Sequence, residues 1–346
     1  MLTFSRSHRQ AASFSALILA LAALPASADW QQDDKTLSWK ASNAKPDALP
    51  VWRFSFDNTK GKSFFEPLTV AGGPELTNYK PEDHPWHYGL WFSWKYIDNP
   101  DHVNYWEEDP KTGNAASDTF GKTGWKAPKI TTKPDGSAAI HLDLTYTSNK
   151  GVVNMTEARD IAVSPVAADG SYKIDWRAHF TVGTTPVDLD RTPMPGEPKG
   201  ATNGGYAGIG LRMAGNPLIM KVTSTIGPID KFESSRARPN AAAIACNFTK
   251  DGKEVGSIAL FSDPDNTEKL GNGKDASWYI INDDTLNSGA GFRFACPSIL
   301  GPKIIHLDAG KTLDLHYQFA LTPKPWSTEA LKTEQEAWLK TSKSAK

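Results

Sequence analysis

The stretch HPWHYGLWFSWKYIDNPDHVNYWEED, His84 to Asp109, gathers titratable and aromatic side chains at a density found nowhere else in the chain. Three of the eight His and four of the twelve Trp lie in it. Imidazoles and carboxylates at neutral pH do general acid–base work. Indoles offer flat faces to the apolar C–H side of a sugar ring. His84, His87 and Glu108 are therefore read as the proton-transfer candidates, with Trp91, Trp106 and Asn104 as ligand-binding partners.

Side-chain alternation suggests how these groups are presented. If His87–Trp94 is a strand, His87, Gly89, Trp91 and Ser93 share one face, and Tyr88, Leu90, Phe92 and Trp94 share the other. If 103–108 is extended, Asn104, Trp106 and Glu108 share a face. In GGYAGIGLRM, Tyr206, Gly208, Gly210 and Arg212 fall together, with Ala207, Ile209 and Leu211 inward. Tyr206 adds a second acid or base. Arg212, and Arg159 further along, offer the two-pronged donor that suits a carboxylate such as that of a uronate. Glu107, Glu157 or Glu233 would be the second carboxylate if the reaction were ordinary glycoside hydrolysis.

A metal is the rival chemistry. His84-x-x-His87 with His102 or Glu108 makes a His₂/carboxylate set suited to zinc or non-haem iron. On a strand, residues three apart point to opposite faces, so both His ligate only if Pro85 bends the chain. No cofactor is expected, and the metal stands as the alternative. A second alternative is a carbohydrate-binding protein without catalysis, which needs the Trp and Arg residues but not the titratable ones.

The elements that must hold these groups read as strands. VWRFSF (51–56), GLWFSW (89–94), AAIHLDLTYT (138–147), YKIDWRAHFTV (172–182), GSIALFS (256–262) and LDLHYQFAL (313–321) recur between Gly- and Pro-rich turns. Within 138–147, Ile140, Leu142 and Leu144 face one way and His141, Asp143 and Thr145 the other. The pattern predicts an all-β antiparallel sandwich. One helix follows Pro325, over 327–343, capped by Ser327 with a stripe of Leu331, Trp338 and Leu339. The longest expected loop, 184–205, is rich in Pro and Gly. Loops this long inside a domain often carry function.

Arg6 and Arg9, the apolar run Phe14–Leu24 and the Ala26-Ser27-Ala28 triplet form the pattern of a secretory signal peptide over 1–28. The run is too short to span a bilayer. The expectation is export to a bacterial periplasm or beyond, with residues 29–346 forming one domain. That portion carries 36 basic against 39 acidic residues, a charge of −3. No basic stripe points to nucleic acid or to a lipid surface, and charge identifies no partner; the saccharide is expected from the aromatic, acid–base cluster. Cys246 and Cys296 either pair or stand as separate buried thiols. Oligomeric state leaves no mark on the sequence.

The His84–Asp109 stretch also resembles the PmoA-like family of exported bacterial proteins, a family of unknown function labelled from a methane-oxygenase annotation. FFEPLTVAGGPELTNY (64–79), GGYAGIGLRM (204–213) and GSIALFSDPDN…SWYI (256–280) match in order. The family's His-Pro-x-His-x-Gly-Leu-Trp-Phe motif maps to His84, Pro85, His87, Gly89, Leu90, Trp91 and Phe92. Its Trp-x-Glu maps to Trp106 and Glu108, and its glycine element to Gly204, Gly205, Gly208 and Arg212. Many members carry a further His or Arg where this chain has Trp86 and Tyr88, which weakens a metal reading. The resemblance implies a β-sandwich similar to the galactose-mutarotase-like supersandwich, in proteins that accompany sugar-degrading machinery.

Overall fold

Alternation along the chain becomes two large antiparallel sheets laid face to face. A computed structural model describes residues 29–41, 47–107 and 120–344; the expected signal peptide and Glu108 lie outside them. The first sheet runs, in spatial order, through 29–32, 36–40, 52–55, 64–68, 90–93, 208–213, 292–297, 276–283 and 236–237, with 240–241 paired beside 276–283. The second runs 227–229, 219–224, 243–250, 253–262, 312–322, 172–182, 153–163, 138–147 and 122–125, with 129–132 also on 138–147. A small four-stranded sheet, 305–307, 187–190, 96–98 and 102–104, lies apart from both. The architecture is the all-β sandwich that the alternation predicts.

Between the large sheets sits the main core. Ile140, Leu142 and Leu144 face it from one sheet, and Leu90, Phe92, Ile209 and Leu211 from the other. Arg159 and Glu157 are also in this interior. Arg159 donates to Glu157 through Nε and Nη2 at 2.5 and 2.7 Å and to Ser63 Oγ at 2.8 Å, and Tyr146 donates to Glu157 at 2.5 Å. The guanidinium lies over the Trp176 ring at 4.8 Å. A buried pair with every partner in place is tolerated; with one partner removed it is costly.

The C-terminal helix, Thr328–Ser344, begins where Ser327 accepts the Ala330 N–H at 3.1 Å. Leu331 and Trp338 pack on Ala243, Ala245, Ala259, Phe261 and Ala320, closing the outer face of the second sheet. Cys246 and Cys296 are separate buried thiols on different sheets. Burial pushes each thiol up to about 12.

Candidate functional site

The first sheet carries a second aromatic cluster of its own, outside the main core: Phe64, Tyr88, Trp91, Trp106, Tyr279, Phe292 and Phe294 among them. Alternation puts Trp91 on this outer face while Leu90 and Phe92 turn inward. Gly210 lies opposite Trp91. A Cβ there would meet the indole at 2.7 Å, so the glycine is what lets the ring lie flat on the sheet. The strand itself is shorter than expected, Leu90–Ser93. Gly89 has φ +58, open to glycine but strained for other residues, and this switches the alternation. Tyr88 therefore joins His87 and Trp91 on the outer face instead of the core.

Two imidazoles stand over this floor, their centroids 4.6 Å apart. His84 is one-third exposed, and its Nδ1 donates to Asp83 Oδ2 at 2.7 Å. Arg212 grips the same carboxylate through Nη1 and Nη2, both at 2.9 Å. Burial alone would raise the Asp83 carboxyl; the bonds from His84 and Arg212 outweigh it and hold it down at about 2. Asp83 thus remains charged and fixes the His84 tautomer, leaving Nε2 for a ligand. His87 is buried against Trp91 at 4.9 Å and Phe294 at 5.2 Å. Its Nδ1 has no hydrogen-bond partner among the described residues. Burial first, then the charges of His84 and Arg212, hold it well below its usual value, so it is neutral at physiological pH.

The strand at His102–Asn104 ends where the Asn104 side chain takes the N–H groups of Trp106 at 2.9 Å and Glu107 at 3.2 Å. That local turn replaces the expected extended run. Asn104 also donates to Glu107 at 2.5 Å, and Lys95, itself buried, meets the same carboxylate at 2.6 Å. Lys62 holds the Trp86 carbonyl at 2.9 Å and the Trp106 carbonyl as well. Trp106 packs on Tyr206 at 5.1 Å, and Tyr206 stacks on Tyr279. Burial, and then the Glu107 charge, push the Tyr206 hydroxyl up, so it stays protonated.

The result is a cavity of about 180 Å³ walled by His84, His87, Trp86, Trp106, Tyr206 and Tyr279, with Ile281, Phe292, Phe294, Asn203 and Arg236 completing it. Among the described residues no carboxylate lines it. A larger cleft of about 1050 Å³ reaches Lys62 and Glu107 and is lined also by Tyr105, Trp125, Asp143, Glu157, His179 and several threonines, without the paired imidazoles of His84 and His87. The smaller cavity holds the imidazoles and is the better candidate for chemistry.

The structure brings His84, His87, Trp106 and Tyr206 to one wall and sets other expected residues elsewhere. Arg159 belongs to the inter-sheet ion pair, a correction with a simple cause: the alternation of 153–163 points it inward with Met155 and Ile161. Arg212 is committed to Asp83 and lies 3.9 Å over Phe292, so it supports His84 instead of meeting a ligand. Trp91 is wholly buried and lies under the cavity, not on its wall. Asn104 shapes the Trp106 turn. Of the alternative metal set, His84 and His87 are not joined by His102 among the described residues, and the form with Glu108 lies outside them. His102 sits on the small sheet with Asp98 and Asp190, the three offering ligand atoms within 4.8 Å of one another. Asn203, Arg236, Arg238 and Tyr279 lie outside the expected set; they arrive from distant sequence, and no spacing rule joins them, whereas Asp83, also outside it, immediately precedes the His84 that it orients.

The 191–207 connection supplies Asn203. Within the expected loop, Val187–Asp190 forms a strand of the small sheet. Beyond it, Arg191 binds the Leu300 carbonyl at 2.9 Å and Glu197 at 2.6 Å. Arg238 takes the carbonyls of Thr202 and Gly204 at 2.8 and 2.7 Å.

The chain belongs to DUF6807, a family of unknown function, which it matches over residues 43–336. No curated protein matches it. Among solved structures it is similar to the α-galactosidase of Lactobacillus brevis, at 8% identity and TM-score 0.40, over 85% of this chain and 39% of that one. It is similar also to the GH36 α-galactosidase AgaB of Geobacillus stearothermophilus, at 7% and 0.44, over 86% and 41%. A TPR-domain containing protein of Parabacteroides distasonis gives 9% and 0.36, over 85% and 51%. The chain spans about two fifths of the length of the two galactosidases.

Proposed function

We propose that this DUF6807 member is a carbohydrate-active enzyme that seats one sugar ring in the aromatic cavity and moves a proton through His84 and His87. One observation carries the reading: an oriented imidazole, His84 on Asp83 and Arg212, stands against a buried neutral imidazole with an unpartnered Nδ1. Trp86, Trp106 and Tyr206 offer faces to the C–H side of the ring. His84 Nε2 accepts a proton from carbon or hydroxyl, and the neutral His87 accepts or returns one. The protonated Tyr206 hydroxyl donates to developing negative charge.

Because the described wall carries no carboxylate, the two-carboxylate scheme of glycoside hydrolysis lacks its partners there, and proton abstraction fits better. Elimination and epimerisation both use it. The test is a product screen of the full protein on plant and algal oligosaccharides, followed by ultraviolet absorbance, reducing ends and mass together. A new unsaturated product or an epimer, abolished by His84→Gln, supports the proposal. Sugar binding with no product from any substrate would instead make the protein a carbohydrate binder.

A further inference from the structure

Most of the described arginines have an acid. Arg159, Arg177, Arg191, Arg212 and Arg293 each pair with a carboxylate. Arg236 and Arg238 pair with none among the described residues, yet they converge on one phenol. Arg236 Nε donates to Tyr279 Oη at 3.2 Å, and the Arg238 guanidinium lies over the Tyr279 ring at 4.5 Å. Arg238 spends its terminal nitrogens on the Thr202 and Gly204 carbonyls and on Met194 Sδ. Arg236 spends Nη1 on the Ser234 carbonyl at 2.5 Å, and no described residue takes its Nη2. Two cations therefore meet at one tyrosine with no carboxylate paired to either among the described residues, although Asp230 and Glu233 line the adjoining cleft.

The backbone holds Arg236 there deliberately. Glu233 and Arg236 exchange both backbone bonds, at 2.8 and 3.0 Å, across Ser234 and Ser235. Both serines have positive φ, +47 and +69. This is the geometry of a tight hairpin turn usually given to Asn-Gly, here built from side chains that pay for it in strain. Ser235 is tied to Asp283, which fixes the turn to the neighbouring strand. Arg236 then stands where two hollows meet: it lines the 180 Å³ aromatic cavity and also a cleft of about 720 Å³ whose charged lining is Asp230, Lys231, Glu233 and Arg238.

We propose that Arg236 is the anion-recognising residue of the site. It receives the carboxylate of an acidic saccharide whose ring lies in the aromatic cavity and whose next unit lies in the larger cleft. The inference rests on the reading of the cavity as a sugar site and adds the charge of the ligand and its direction of extension. Arg238 is a positioning residue: it fixes the 202–204 backbone that separates the hollows and adds its charge to the same field.

The test is calorimetric titration of the full protein and of Arg236→Gln with galacturonate and galactose, glucuronate and glucose, and galactose 6-sulfate. Circular dichroism melting checks that the variant is folded. The expected result is that wild type prefers each uronate over its neutral partner by about tenfold or more. That ratio collapses towards one in Arg236→Gln and shrinks with added salt. A folded Arg236→Gln that keeps the wild-type ratio overturns the assignment while leaving the sugar-site reading in place. Tight binding of the sulfate ester without the uronates overturns the carboxylate. Binding of none of the five sugars overturns both the assignment and the reading on which it rests.

Discussion

At the scale of single residues, the imidazole pair divides its labour by environment. His84 is oriented and accessible, and His87 is buried and neutral. Replacing His84 by Gln keeps a bond to Asp83 and removes the proton acceptor, so kcat on the identified substrate falls by about 10²- to 10⁴-fold while KM moves little. His87 has a second consequence, legible in pH. The unfolded chain protonates it at its ordinary 6.5, and the folded chain resists until well below. Its contribution to stability is full above that value and is lost as the pH falls beneath it. Melting temperatures of wild type taken from neutral pH downward should fall more steeply than those of His87→Phe. Equal slopes would show that the folded protein protonates this ring without cost. The residue type of Arg159 suggests a ligand-binding cation, but the alternation of its own strand points it inward beside Met155 and Ile161.

At the scale of elements, the strands were readable and the turns were not. The strands at 138–147 and 172–182 end where the alternation does, because one face of each is fully buried and register is then dictated by the core. The helix begins one residue after its capping serine. The Trp106 wall was unreadable for a physical reason: a single side-chain acceptor, Asn104, ends the strand, and nothing in the hydrophobic pattern announces it. Asn104→Ala should cost about 1–3 kcal/mol, measured by urea unfolding, and weaken ligand binding with it. Gly210→Ala should cost about 1–3 kcal/mol, because its methyl collides with the Trp91 indole. A third effect belongs to the strand at Phe64–Leu68. Burial, then the hydrogen bond and charge of Glu75, raise the Glu66 carboxyl to about 8, against a pull from Arg53. Its contribution is complete below the ordinary 4.5 and is lost as the pH rises through 8. Glu75→Gln should therefore raise the melting temperature at alkaline pH and leave it nearly unchanged in mild acid.

At the scale of the whole molecule, two hydrophobic assemblies share one sheet. The core between the sheets holds the fold, with Arg159 and Glu157 as its buried ionic pair. The outer aromatic cluster holds the site. Arg159→Met should cost about 3–5 kcal/mol by stranding Glu157 in the interior, yet the surviving folded protein should bind ligand as wild type does, since no cavity residue moves. Loss of binding in a folded Arg159→Met would show that the two assemblies are coupled. The Asp83–Arg212 and Arg236–Tyr279 contacts join residues 129 and 43 positions apart. Contacts of that span depend on how the strands are ordered in the sheet, and strand order is the one property that the alternation of a single sequence does not encode.

The connection that carries Asn203 is held by main-chain groups together with a few side chains of its own, chiefly Arg191 and Glu197. Arg238 grips its carbonyls, Arg191 is anchored to the carbonyl of Leu300, and the Met194 N–H is fixed by Glu197 at 2.6 Å. Carbonyls and amides are common to every residue type. Apart from Glu197, which holds Arg191 and the Met194 N–H, and Gly200, where a Cβ would meet the Met194 carbonyl at 2.0 Å, side chains along the rim at 195–203 can be exchanged while its course over the cavity is kept. The rim is thus a place where ligand preference can drift between descendants of this chain, one substitution at a time, without the sandwich being rebuilt.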